Sequence, residues 1–152
     1  MKMPFKRPVS VLVVVHTPGL KVLLLERATH PGYWQSVTGS QEEGETLLET
    51  ARREVEEETG IGASLVAFRD WQLTRRFEIF PEWRHRYAPG VVENTEHVYS
   101  LAVGENEPIT IAPDEHVAWC WLPWREAAAK CFSWTNREAI LTLPERYGQL
   151  PR

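Results

Sequence analysis

The chain has 152 residues, 43% of them hydrophobic and 25% charged, with a formal net charge of −4. This suits one globular domain, expected over residues 1–152 and long enough to bury about 68–70% of its unfolded surface. The acidic balance lacks the cationic face a general nucleic-acid binder needs, and no stretch approaches the ~20 apolar residues of a membrane span.

Lys2, Lys6 and Arg7 precede a short apolar run. Pro8 and Ser10 interrupt it and no small-residue cleavage site follows, so no secretory leader is expected. Cys120 and Cys131 have no metal or redox spacing and read as reduced thiols, which points to the cytoplasm. Residues 9–15 are almost all β-branched and predict a strand buried on both faces. His16-Thr17-Pro18-Gly19 predicts a turn, with residues 21–25 returning as the second strand of a hairpin. Lys6, Arg7 and Arg27 fall at the edges of that hairpin, where a solvated surface charge is the ordinary role.

Pro31-Gly32 predicts a loop, and residues 34–38 lead into Gly39. Thr46, with Glu49 three residues later, is a capping box that starts a helix. Gly60 suits the left-handed residue that closes it, with Ile61 packing back. Leu48, Ala51 and Val55 form its apolar stripe. Residues 63–80 supply one long or two short strands, followed by a loop over 81–94 rich in Trp83, Arg84, His85, Arg86 and Tyr87. A loop that long is often functional. A strand over 96–103, a polar connection over 104–113 and a strand over 116–122 follow, with Glu115 at the entrance of the last. Pro123-Trp124 begins a helix to about Cys131. Thr135-Asn136 caps a final helix that Pro144 ends or kinks. Strands alternating with two or three helices predict an α/β fold, an α/β/α sandwich around a mixed sheet.

Eight glutamates fall between Glu42 and Glu58. At about 100° per residue, Glu54 and Glu58 project from one side of the predicted helix, along the border of its apolar stripe, with Glu57 beside them and Glu56 elsewhere. Like charges at i and i+4 cost roughly 0.2–0.5 kcal/mol. Acids in the last turn face the negative end of the helix dipole, for about 0.3–1 kcal/mol each. A solvated acidic face is the ordinary reading of a Glu-rich helix, but these acids gather at the unfavourable end and flank a buried face. A divalent cation reverses that penalty, because hard cations take oxygen ligands.

The run Gly39, Glu45, then Arg53-Glu54-Val55-Glu56-Glu57-Glu58-Thr59-Gly60-Ile61 resembles a complete Nudix box, with every fixed position filled. The resemblance implies a metal-dependent hydrolase of a nucleoside-diphosphate-like pyrophosphate bond, using Mg2+ or alternatively Mn2+. It implies Glu54 and Glu58 as metal ligands, with Glu57 either a ligand to a second ion or the general base. The Gly39 carbonyl is a further candidate ligand. Arg53 and Glu45 are read as an internal pair fixing loop to helix. Glu115 resembles the late-loop carboxylate that completes the metal site in several branches, although a surface acid at a strand end is the ordinary role. His116 reads as a packing or hydrogen-bonding residue.

Four segments outside the box resemble the bacterial branch of this family that cleaves dihydroneopterin triphosphate in folate biosynthesis. They are residues 6–10, residues 34–40, Phe77-Glu78-Ile79-Phe80 with residues 84–91, and residues 133–137. The turn at 17–20, residues 104–113 and the tail after Leu143 do not match. The resemblance implies substrate binding by Lys6, Arg27, Thr38, Phe77, Glu78, Ile79, Phe80 and Ser133, and a product pair of dihydroneopterin monophosphate and pyrophosphate. The residues agree in part. Lys6 and Arg27 are cations for a triphosphate, Phe77 and Phe80 offer rings for stacking, and Glu78 is an acceptor for N–H groups. Phe77 and Ile79 equally fit ordinary strand core, and Ser133 fits a helix cap. The partner is thus a pterin or nucleoside triphosphate. The alternatives are a sanitising pyrophosphohydrolase of nucleoside triphosphates and a catalytically silent ligand sensor.

Overall fold

The computed structural model describes residues 5–149. Lys2 and both ends of the expected 1–152 domain lie outside the described residues. Strands β1 (Val9–His16), β2 (Lys21–Arg27), β3 (Trp34–Gln35), β4 (Val37–Ser40), β5 (Phe68–Glu78), β6 (Glu93–Ala102) and β7 (His116–Pro123) form one mixed sheet. Helix α1 (Leu47–Thr59) covers one face, and α2 (Trp124–Lys130), α3 (Trp134–Leu141) and α4 (Leu143–Gln149) belong to the other. This is the expected α/β/α sandwich. No helix among the described residues is long and apolar enough to cross a membrane.

β1 is the axis of the sheet. Its alternation sends Val11, Val13 and Val15 to a core shared with Ala51 and Val55 of α1. Leu12 and Val14 face a second core with Ala127, Ala128, Ala139 and Ile140. The run therefore has no polar face, which is what a strand buried on both sides requires. Its neighbours differ from the expected hairpin. β1 and β2 share one register pair, His16↔Val22, while Ser10 to Val13 pair with β4 instead. β2 takes β3 and β7 as its partners, and β6 runs parallel along the whole of β1. Strand β4, which carries Gly39, is thereby laid directly beside β1 and against α1.

Two further expectations are corrected. The presumed loop over 81–94 begins with a 3-10 turn (Pro81–Arg86), and its last two residues already belong to β6. The final helix is not capped by Thr135-Asn136. Ser133 occupies the cap position of α3 without a capping side-chain bond. Asn136 instead holds Ser36 twice, accepting from its backbone N–H at 2.8 Å and donating to its hydroxyl at 2.9 Å. Pro144 lies in the first turn of α4, where the missing N–H is harmless.

α1 carries the expected local signals. Thr46 Oγ1 accepts from the Glu49 N–H at 3.1 Å, and the Glu49 carboxylate accepts from the Thr46 N–H at 2.9 Å. Gly60 closes the helix at φ 78°, and a Cβ there would sit 3.2 Å from Thr110 Cβ. Gly60→Ala is expected to cost about 1–2 kcal/mol through the left-handed backbone alone. Urea unfolding should show a lower midpoint with an unchanged slope.

Candidate active site

The glutamates of α1 divide as expected except at Glu57, which lies with Glu56 on the solvent side rather than beside Glu54 and Glu58. Glu54 and Glu58 are 9% and 1% exposed, whereas Glu56 and Glu57 are open to solvent. Arg53 clasps the cluster. It donates to Glu45 through Nε at 2.6 Å and through Nη2 at 3.0 Å, to Glu54 at 2.6 Å and to the Ser40 carbonyl at 3.0 Å. The Arg53 guanidinium beside Glu45 holds that carboxyl down at about 2. The expected internal pair is present, and Arg53 extends it to β4 and Glu54. Gly39 faces Glu54, and a Cβ at this glycine would lie 2.0 Å from Glu54 Cδ. No larger residue lets β4 approach the carboxylate this closely.

Glu58 has no such clasp. Burial, then the neighbouring Glu54 and Glu115 charges, push its carboxyl well above the ordinary range, and burial also raises Glu54. Glu58 Oε1 is buried without a hydrogen-bond partner. Ligand atoms of Glu58, Glu115 and His116 lie within 4.8 Å of one another. His116 offers no cation, because burial followed by the Arg27 charge lowers its pKa to about 4. Its Nε2 lies 3.8 Å from Glu58 Oε1 and its Nδ1 is unpartnered. His116, expected as a packing or hydrogen-bonding residue rather than a ligand, is brought by the fold into the acid cluster. An orphaned buried carboxylate oxygen among further oxygen donors fits a hard divalent cation.

The acids border a cleft of about 1250 Å³. Lys6, Arg27, Thr38, Gly39, Arg53, Glu54, Glu58 and Glu115 line it, as do Phe77, Glu78, Ile79, Phe80 and Ser133. Glu57, Glu45 and Gly60 do not. Lys6 and Arg27 are not solvated surface charges. Burial and then the Arg86 charge lower Lys6 to about 8, and the same two causes lower Arg27. Arg27 lies 4.6 Å over the Trp83 ring and leaves its buried Nε without a partner. Phe80 stacks on Trp83 at 5.1 Å, and Phe132 stacks on Tyr33 at 4.6 Å. Thr38 Oγ1 accepts from Gln35 at 3.2 Å, and Ser133 Oγ lies 2.9 Å from Thr135 Oγ1. Ile79 is buried and Phe77 half-buried. Glu78 is 76% exposed at its side chain, and Arg84 holds its carboxylate.

The floor of the cleft holds residues the sequence reading passed over. Asn94 and Glu96 alternate on β6 toward the face occupied by Leu12, Val98 and α3, and both line the cleft. Their signal was two polar residues at period 2, leading into an apolar strand. Placing the strand start at Glu96 hid it. Glu96 is 4% exposed, and burial raises its carboxyl to about 7 against the opposing pull of Thr135 and Arg75.

Because the folded pKa of Glu96 exceeds its unfolded value, the folded state binds more protons between the two. This contribution is present at low pH and lost as pH rises through about 7. Relative to Glu96→Gln, the wild type should therefore lose stability from pH 5 to 8, on the order of 3 kcal/mol. Urea melts of both proteins at the two pH values check this.

A NUDIX domain model matches residues 6–143. Dihydroneopterin triphosphate diphosphatase of Escherichia coli K12 is 50% identical over 139 residues, covering 90% of this chain and 91% of that protein. The Haemophilus influenzae protein of the same name is 39% identical over 143 residues, covering 92% and 89%. The structure of the E. coli dihydroneopterin triphosphate pyrophosphohydrolase superposes with a TM-score of 0.83 at 48% identity, covering 91% of this chain and 95% of that one. With Gly39, Arg53, Glu54 and Glu58 of the box lining the cleft and the family model spanning residues 6–143, the chain belongs to the Nudix family.

Proposed function

We propose that this single-domain protein hydrolyses dihydroneopterin triphosphate to dihydroneopterin monophosphate and pyrophosphate, a reaction of folate biosynthesis in the cytoplasm. The half-identity to the E. coli diphosphatase over nine tenths of both chains carries the choice of substrate. The cleft supports it, because one continuous space joins the acid cluster to an aromatic recess.

Glu54, Glu58 and Glu115 are the residues we assign to hold Mg2+, with Mn2+ as an alternative. When bound, the cation neutralises charge on the phosphate oxygens and eases ionisation of the attacking water. Lys6 and Arg27 bind the triphosphate. They are crowded by each other and by Arg86, so a polyanion relieves repulsion as well as gaining charge-assisted hydrogen bonds. The Thr38 and Ser133 hydroxyls contact the substrate from β4 and the start of α3. Residues Phe77 to Phe80 form the wall of the ring recess. Glu57 is exposed, lies outside the cleft lining and is held by Arg53 at 3.3 Å, so a role as base or as ligand to a second ion requires it to leave that contact. Arg53 acts as a positioning residue, since its contacts fix Glu54 against β4.

Glu58→Gln should lower kcat at least about 100-fold, because a neutral amide is a poor ligand. Glu115→Gln should give a smaller loss, and Glu56→Gln should stay within about twofold, being a solvent-exposed side chain. Pyrophosphate release at saturating magnesium measures all three. Equal effects at Glu56 and Glu58 would contradict the assignment. Side-by-side kinetics test the substrate. The expected order of kcat/KM is dihydroneopterin triphosphate, then guanine nucleotides, then pyrimidine nucleotides. Faster turnover of dGTP than of the pterin would leave only the Nudix hydrolase assignment.

A further inference from the structure

The floor of the recess holds two open acceptor oxygens, Asn94 Oδ1 and Glu96 Oε1, although Thr135 donates to the Glu96 carboxylate. Asn94 and Glu96 are 3% and 4% exposed and line the cleft. The Asn94 amide donates to Ser10 Oγ at 2.7 Å, and its Oδ1 has no partner. Glu96 Oε1 has none either. Buried acceptors left open are few in native proteins, and each calls for an account. Both groups lack only donors. Arg75, paired with Glu96 across β5 and β6, attracts the carboxylate by charge, but its buried Nε is also unpartnered. Phe77 lies in register with Asn94, so a ring surface adjoins the two oxygens.

We propose that Asn94 and Glu96 read the heterocycle edge, accepting hydrogen bonds from the adjacent amino and ring N–H groups of a 2-amino-4-oxopyrimidine ring. This rests on the pyrophosphohydrolase reading above and gives its specificity a site. The open Glu96 oxygen accepts one of the two adjacent N–H groups, and the Asn94 oxygen takes the other. A ring without the amino group leaves an acceptor orphaned in the floor, which is the arrangement that discriminates most strongly. Glu78 is the less suitable acceptor, being exposed and already held by Arg84.

The wild-type protein supplies the first test. dGTP and dITP differ by the 2-amino group alone, and kcat/KM, or the inhibition constant against dihydroneopterin triphosphate, should be roughly 10–100-fold worse for dITP. Equal values would overturn the proposal, whatever any variant does. The second test is Glu96→Gln. It should lower kcat/KM by roughly 10–100-fold for dihydroneopterin triphosphate and dGTP, and leave dCTP within about twofold. An equal loss on all three substrates would assign Glu96 to a structural partnership with Arg75 and sink the inference. The third readout needs no turnover. Phosphate-free 7,8-dihydroneopterin should bind the wild type in metal-free buffer and fail to bind Glu96→Gln, and unchanged binding in the variant would again overturn the proposal. If dGTP surpasses the pterin while the dGTP–dITP gap persists, the substrate reading fails and the edge reading stands.

Discussion

The structure is arranged around two carboxylates buried one helical turn apart without enough positive charge. Glu54 has a guanidinium against it, whereas Glu58 is 1% exposed, has an orphaned oxygen, and has a neutral imidazole and two further carboxylates around it. Removing an ion from water costs several kcal/mol even after relaxation, of order. The fold holds this arrangement by means unrelated to charge. The capping box and Gly60 fix where α1 begins and ends, and Ala51 and Val55 seat it on β1. The missing side chain at Gly39 lets β4 close against Glu54. Arg53 then joins helix, loop and strand through Glu45, Glu54 and the Ser40 carbonyl.

What was legible in the sequence follows from which forces were local. α1 could be read almost to the residue, because its caps, stripe and acid spacing all lie within one short segment. The burial of Glu54 and Glu58 and the exposure of Glu56 follow from helical geometry, whereas Glu57, expected beside the buried pair, turns to solvent and to Arg53. The β1–β2 hairpin was legible as two strands and a turn, but its pairing was not. β4 competes for the same edge of β1, and nothing near residue 16 announces a partner more than twenty residues away. Asn136 looks like a cap by residue type, yet its amide serves Ser36, a hundred positions distant in sequence. Side-chain hydrogen bonds of that reach leave no periodic trace.

The recess was the least legible part for the same reason. Phe77, Ile79, Asn94 and Glu96 become neighbours only through the antiparallel register of β5 on β6. Read singly, Glu96 is a polar residue at a strand start. It becomes chemically unusual once the fold buries it beside Ser10 on β1, with Thr135 of α3 donating to its carboxylate. Glu78, by contrast, looked suited to hydrogen bonding because the partnership of Arg84, six residues on, could not be seen. Residue type indicated that an acid lies near the ring recess, and only the tertiary arrangement distinguishes the exposed acid from the buried one.

The two ends of the cleft are unbalanced in opposite senses. The acids need a cation, while Lys6 and Arg27, each partly desolvated and repelled by Arg86, need an anion. They cannot neutralise each other fully, since Glu58 retains a strongly raised carboxyl with Arg27 nearby. The proposed substrate, a polyphosphate carrying a divalent cation, would satisfy both at once, with its anion toward Lys6 and Arg27 and the cation toward Glu58 and Glu115. Binding of either component alone relieves half of the imbalance and leaves the other half facing a new charge of its own kind nearby. The two affinities are therefore linked, and by thermodynamic reciprocity each component tightens the other by the same factor. In the proposed reading, phosphate recognition is thus inseparable from the buried acids. The open oxygens of Asn94 and Glu96 lie on the recess floor instead, and would give the ring a recognition element separate from that exchange of charge.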